Sequence, residues 1–220
     1  MTARIPTPPA SPQEITIFVL GGNSTGKTRI IERYWLDEYK TQHCPLLESA
    51  DPRMDRTIAG TRCMLTFVEI GIPQSWIRDP TEIYRQWESA TTFPHAAMLV
   101  YSVSGRHTLE ALQTIWPALK RYFDRGKCRV VEVVAAKSDD GGEVTIDEER
   151  AWAKQVGAAF GECSAREGKG VTEVVEKLVL GVLEEREREK EITSPQERTD
   201  DPNIRRSARM IKYLRHRICG

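Results

Sequence analysis

The sequence predicts an α/β fold, a mainly parallel sheet with helices on both faces, from three observations. Apolar runs recur at Ile15 to Leu20, Cys63 to Ile70, Ala96 to Val103, Arg129 to Ala136 and Ala158 to Cys163. Most are continuous rather than alternating, as strands covered on both faces are. Segments with helical three- and four-residue spacing lie between them, and such alternation implies crossover connections between parallel strands. Ligands in such sheets sit beyond the carboxyl ends of the strands.

The elements follow in chain order. Residues 1–14 carry Pro6, Pro8, Pro9 and Pro12 among small polar residues, the composition of a disordered leader that cannot bury enough surface to order itself. The first run, Ile15 to Leu20, leads into Gly21-Gly22-Asn23-Ser24-Thr25-Gly26-Lys27-Thr28 and then a helical face of Ile30, Ile31, Tyr34 and Trp35. After Cys63 to Ile70, the stretch from Pro73 to His95 carries Trp76, Ile77, Ile83, Tyr84 and Trp87, read as a packed helix. Leu109, Leu112, Trp116 and Leu119 form a second face, which Pro117 is expected to kink. Val171, Val174, Val175, Leu178 and Val182 form a third, running into the mixed-charge Glu184 to Glu191, read as its solvated extension. The expected organisation is one domain over 15–190, a linker over 191–202 and a basic amphipathic tail over 203–220.

Bulk composition narrows the class. A chain of 220 residues at 40% hydrophobic can fill one sizeable core. Five cysteines, Cys44, Cys63, Cys128, Cys163 and Cys219, show no metal-ligand or C-x-x-C spacing, and no secretory apolar region precedes the first strand, so a reducing, cytoplasmic setting is expected. No run approaches the roughly 20 apolar residues that span a bilayer. The 32 basic and 32 acidic residues balance, but six of the basic ones lie in residues 203–220, which hold no acid. The remainder, 26 basic against 32 acidic, carries −6 and gives no reason to expect nucleic acid as a partner.

The segment Gly21 to Thr28 fits G-x-x-x-x-G-K-[ST] in its required strand-to-helix context. Glycines let consecutive backbone N–H groups turn inward around a phosphate, and the helix N-terminus adds its partial charge. Lys27 would meet the β- and γ-oxygens and Thr28 would give a hydroxyl to Mg²⁺. Gly21, Asn23, Ser24, Thr25, Gly26, Lys27 and Thr28 are therefore the expected phosphate-binding set.

Two further strand ends, Ala135-Ala136-Lys137-Ser138-Asp139 and Glu162-Cys163-Ser164-Ala165-Arg166, emerge on the same edge. The three elements together resemble the phosphate loop, N-K-x-D and S-A-K motifs of the Ras-like small GTPases, in the same order, over roughly residues 14–185. The resemblance implies a P-loop NTPase fold with a six-stranded, mainly parallel sheet, GTP/GDP as ligand and Mg²⁺ as cofactor. It also assigns Asp139 to the guanine N1 and N2 groups, the Lys137 stem to the face of the base and the Ser164-Ala165 backbone to O6. A carboxylate there disfavours adenine, which offers no paired donors and would leave the carboxylate unpaired. Ala136 stands where the family has Asn, which lowers the expected affinity.

The hydrolytic elements depart further from the family. Phe67 to Gln74 occupies the place of D-x-x-G-Q, with Glu69 as the Mg²⁺-supporting acid, directly or through a water, and Gln74 as the candidate for orienting water. Gly71 is displaced by one residue, and Asn23 replaces a small glycine beside the γ-phosphate. Leu46 or Leu47 stands where a Mg²⁺-binding Thr is expected, with Thr41 and Ser49 as neighbouring substitutes. Positioning and electrostatics supply nearly all phosphoryl-transfer catalysis, so slow hydrolysis is expected.

The resemblance thus implies a GTP/GDP switch or scaffold in signalling, with effector and regulator proteins as partners. The alternative is a pseudo-GTPase module whose partner binding ignores the nucleotide, and a kinase or ATPase reading has only the first loop behind it. In the tail, Ile204, Ala208, Ile211, Leu214 and Ile218 recur at helical spacing among Arg205, Arg206, Arg209, Lys212 and Arg215, which suits an anionic membrane surface. Cys219 is one residue from the terminus rather than three, which argues against prenylation and leaves acylation open.

Overall fold

The computed structural model describes residues 11–39, 53–87, 93–143 and 145–193. The expected leader up to residue 10, Thr41, Leu46, Leu47, Ser49 and the tail over 203–220 lie outside the described residues.

Six strands form one sheet in the order β2-β3-β1-β4-β5-β6. They are β1 (Gln13–Gly21), β2 (Arg53–Ile58), β3 (Thr61–Gly71), β4 (Ala96–Ser102), β5 (Val130–Ala136) and β6 (Ala159–Cys163). All neighbours run parallel except β2, which pairs antiparallel with β3. The first strand begins at Gln13, so the last two residues of the stretch read as a leader lie in the sheet. The period-2 pleat turns each continuous apolar run into two buried faces. Ile15, Ile17 and Val19 pack with Met98, Val100 and Val134 on one side, and Phe18 and Leu20 with Leu99, Tyr101, Val133 and Ala135 on the other.

Helices α1 (Lys27–Leu36) and α6 (Val171–Thr193) cover the first face; α2 (Gln74–Arg78), α3 (Glu82–Trp87), α4 (Arg106–Arg125) and α5 (Ile146–Val156) lie over the second. The second face in sequence order corresponds to α4, which buries Leu109, Leu112, Ile115, Leu119 and Phe123 and continues through Pro117 as one 20-residue helix. In place of the single packed helix expected after β3 there are two short ones, separated at Pro80, which disfavours a helical residue before it and lacks the N–H to continue the run. Thr145 caps α5 by accepting from the Glu148 amide, and α6 carries the Glu184 to Glu191 stretch as expected.

Of the charged residues buried in this frame, Glu32 and Glu149 among them, one is fully enclosed. Glu132 on β5 is fully buried, and Lys177 of α6 stands 2.9 Å from it. Burial pushes its carboxyl up to about 7 against the opposing pull of Lys177. Gly161 of the neighbouring strand makes the room, since a Cβ there would sit 2.8 Å from Glu132 Oε1.

Candidate functional site

The carboxyl ends of β1, β3, β5 and β6 converge on one edge. Leaving β1, the chain passes so close to β4 that a Cβ on Gly21 would lie 2.3 Å from the Val100 carbonyl oxygen, so the first glycine of the loop is fixed by packing. Gly26 turns with φ 104°, a conformation costly for other residues, and starts α1. The Gly22 carbonyl accepts from Lys27 Nζ at 2.8 Å and Thr25 Oγ1 at 3.0 Å, while Asn23 and Ser24 are exposed at the tip. Burial lowers the Lys27 ammonium pKa, partly offset by Glu69, whose Oε1 is 3.8 Å away.

Thr28 Oγ1 lies 2.9 and 2.7 Å from the two Glu69 oxygens. Adjacent oxygens on an octahedral Mg²⁺ stand about 2.9 Å apart, since Mg–O is about 2.0–2.1 Å. The pair therefore fits as two neighbouring hard-oxygen ligands, with Glu69 close enough to act in place of a shorter Asp. Among the described residues no group of three or more His, Cys, Asp or Glu could hold a metal by itself. A cavity of about 300 Å³ is lined by Ser24, Gly26, Lys27, Thr28, Arg29, Glu69 and Lys137, joining the phosphate loop to the β5 end.

The β5 end continues the corner. Lys137 adopts φ 59°, and Asp139 accepts at Oδ1 from the Ser164 hydroxyl at 2.6 Å. Ser164 is fully buried, and its backbone exchanges bonds of 2.9 and 3.1 Å with Lys169, closing the loop after β6. Ser164 thus engages the β5 loop by its side chain, a contact additional to the backbone role the resemblance implied. The Ser164 hydrogen bond, with the charges of Arg166 and Lys137, holds the Asp139 carboxyl below the usual range. In place of an amide tie, the Ala136 methyl faces Gly26, 3.7 Å from where a Cβ would stand. Ala165, Asp139, Lys137, Arg29, Tyr39 and Arg166 line an adjoining cavity of about 80 Å³.

Gln74 faces a second cavity beside the tip of the loop. It opens α2 and, with Gly22, Asn23, Gly71 and Pro73, lines a separate cavity of about 640 Å³ that runs along His107, Thr108 and Ala111 of α4. It does not line the pocket of Lys27, Thr28 and Glu69. Asn23 Oδ1 comes within 3.9 Å of where a Gly71 Cβ would stand, so both departures from the family meet at this boundary.

Sequence reasoning missed Tyr39 and the side chain of Arg166. Tyr39 is a lone aromatic in a polar stretch, and Arg166 gains its partners only when the loops after β5 and β6 meet, so neither carries a spacing signal.

Comparisons with known proteins agree with this geometry. The family model described as Ras family matches residues 16–184. "Ras-like protein rasZ" of Dictyostelium discoideum is 23% identical over 207 residues, covering 93% of this chain and 91% of that protein. "Ras-related protein Rab-21" is 21% identical in Mus musculus and 22% in Homo sapiens, each over 168 residues covering 76% of this chain and 72% of the relative.

Proposed function

The chain belongs to the Ras family of small GTPases, and from that premise we propose that it binds GTP or GDP at the strand-end corner and hydrolyses GTP slowly, as a switch or scaffold in signalling. One observation carries the proposal: the Lys27, Thr28 and Glu69 cluster shares a cavity with Lys137, whose loop presents Asp139 bonded to Ser164. Phosphate chemistry on one side and a base-reading carboxylate on the other lie in reach of one nucleotide. Tyr39 supplies an aromatic surface for the base.

Mg²⁺ held by Thr28 and Glu69, directly or through a water, would neutralise charge on the phosphate oxygens. The chain's own residues do the rest. Lys27 places a cation at the loop, its burial making it a stronger electrostatic partner. Water positioning is where the site is weak, because Gly71 is displaced by one residue and Pro73 or Gln74 falls where the family places its catalytic Gln. Hydrolysis on the order of 10⁻⁴ s⁻¹ or slower is expected, and single-turnover GTP decay near one per second would overturn that expectation.

The test of base choice is identification of the nucleotide released on denaturing the purified protein, followed by Asp139→Asn. Exchanging an acceptor for a donor should shift preference from guanine toward xanthine by about 2 kcal/mol, some thirtyfold. Wild-type protein that binds ATP as well as GTP would refute the proposal.

A second reading, a pseudo-GTPase with nucleotide-independent partners, is favoured by one feature: Ile72, Trp76 and Ile83 of the segment that switches in the family are core residues. Equal partner affinity with GDP and a GTP analogue supports it. Effectors, regulators and an anionic membrane surface for residues 203–220 remain part of the proposal. No helix among the described residues is long and apolar enough to cross a membrane. Vesicle sedimentation of the full chain against one ending at Asp201 tests the tail.

A further inference from the structure

Arg166 follows β6 and reaches back over the base pocket. Its Nη1 lies 2.7 Å from Asp139 Oδ2 and 3.4 Å from Asp140 Oδ1. The Asp139 side chain is only 7% exposed, and its other oxygen already takes the Ser164 hydroxyl. Both oxygens of the carboxylate that would read a base are therefore engaged from within the chain. Arg166 also has a side-chain hydrogen bond to Tyr39, over whose ring the Arg29 guanidinium stands at 5.9 Å. Asp139, Arg166, Tyr39 and Arg29 all line the same cavity of about 80 Å³.

The chemistry of the two competing groups is alike. A guanidinium is a planar array of N–H donors that suits a carboxylate, and the N1–H and N2–H₂ edge of guanine is another. We propose that Arg166 is an internal competitor for guanine, holding Asp139 while the pocket is empty and swinging out when a base enters. The proposal rests on the guanine-nucleotide reading above and adds to it a residue that sets affinity and exchange. The contact is built to break: Arg166 is 63% exposed, so its departure leaves no buried charge behind on its own side. Asp140, at 33% exposure, offers the displaced guanidinium a second carboxylate one residue along. Lysine could not act in the same way, because a single ammonium does not reproduce the planar donor array.

A closed fraction of the free protein lowers apparent affinity in proportion to the open fraction. With an exposed-to-buried ion pair of this kind, Arg166→Ala is expected to bind GDP roughly three- to tenfold more tightly. The gain should fall entirely in the association rate, with dissociation unchanged within about twofold, because the competitor is already displaced in the complex.

The experiment is stopped-flow binding and displacement of fluorescent GDP on full-length wild type, Arg166→Ala and Arg166→Lys, with ADP in parallel. Tighter binding through faster association in Arg166→Ala, with Arg166→Lys close to it, supports the competitor. Equal or weaker GDP binding in Arg166→Ala, or faster dissociation, overturns it and leaves guanine binding intact, since Arg166 would then be a residue that holds the base. Failure of wild type and variants alike to bind GDP overturns the guanine reading and the competitor with it.

Discussion

The loops around Lys27 and Asp139 and the segment from Ile72 to Trp87 lie beside the same sheet, yet different forces hold them. In the first region polar groups satisfy one another: Lys27 on the Gly22 carbonyl, Thr28 on Glu69, Ser164 on Asp139. Each could exchange its partner for a phosphate, a cation or a base. In the second, Trp76 is 3% and Ile83 0% exposed. Trp76 meets Trp87 edge-on at 5.3 Å, Trp87 meets Tyr122 of α4 at 4.6 Å, and the Arg121 guanidinium lies over Tyr84 at 4.8 Å. Moving that segment would expose core. The first region thus keeps exchangeable contacts, while the neighbouring segment is built as part of the interior.

The contrast breaks first at Trp76. Trp76→Ala should destabilise the fold by about 3–5 kcal/mol, as large-to-small core changes do, read as a shift in denaturant midpoint. A loss below about 1 kcal/mol would mean the segment is not core. Next is Lys27→Ala, expected to weaken GDP binding by about 3 kcal/mol, more than a hundredfold, through loss of a charged donor in a partly dry site. Equilibrium binding decides it, and a stable variant with unchanged affinity would dissolve the contrast from the other side.

A third perturbation falls on neither region and calibrates both. Below about 4.5 Glu132 is protonated whether folded or not. Between there and about 7 the unfolded chain gives up its proton while the folded one keeps it, so stability declines as pH rises, and above about 7 the full penalty is present. The loss should be on the order of 2–3 kcal/mol from pH 4.5 to 8. Glu132→Gln should flatten that part of the profile in denaturation series, and identical wild-type and variant profiles would show that Glu132 does not titrate there. The smallest effect belongs to Gln74→Ala. Since Gln74 is out of register with the family's catalytic Gln, GTP decay should change less than about twofold, and a drop beyond tenfold would assign it to the reacting phosphate.

What the sequence disclosed follows the same physics. Runs such as Ile15 to Leu20 and Ala96 to Val103 were legible because burial on both faces leaves no polar alternation to confuse them. Strand β2 was not, since among Arg53 to Ile58 only Met54 and Ile58 are buried. The strand-to-helix turn from Gly21 to Thr28 was readable from spacing because its geometry is local to eight residues. Asp139 needed the order of three motifs. Arg166 and Tyr39 were illegible because their roles exist only between loops distant in sequence. Cys63, Cys128 and Cys163 are buried, with the thiols of the last two pushed up to about 12 by burial.

The polarity that concealed β2 has a use in a crowded solution. It forms one margin of the sheet, where open N–H and C=O groups invite another chain to add a strand. Arg53, Asp55, Arg56 and Thr57 are all exposed, and Asp55 is tied to Arg62 of β3 at 2.9 Å through the arginine Nε. An incoming strand would have to strip water from charges of both signs before gaining a backbone bond. The opposite margin, β6, is only five residues long and carries Gly161 at its middle. The two margins thus differ in kind, one carrying charge and the other brevity, and each is a feature that discourages strand addition at a sheet edge.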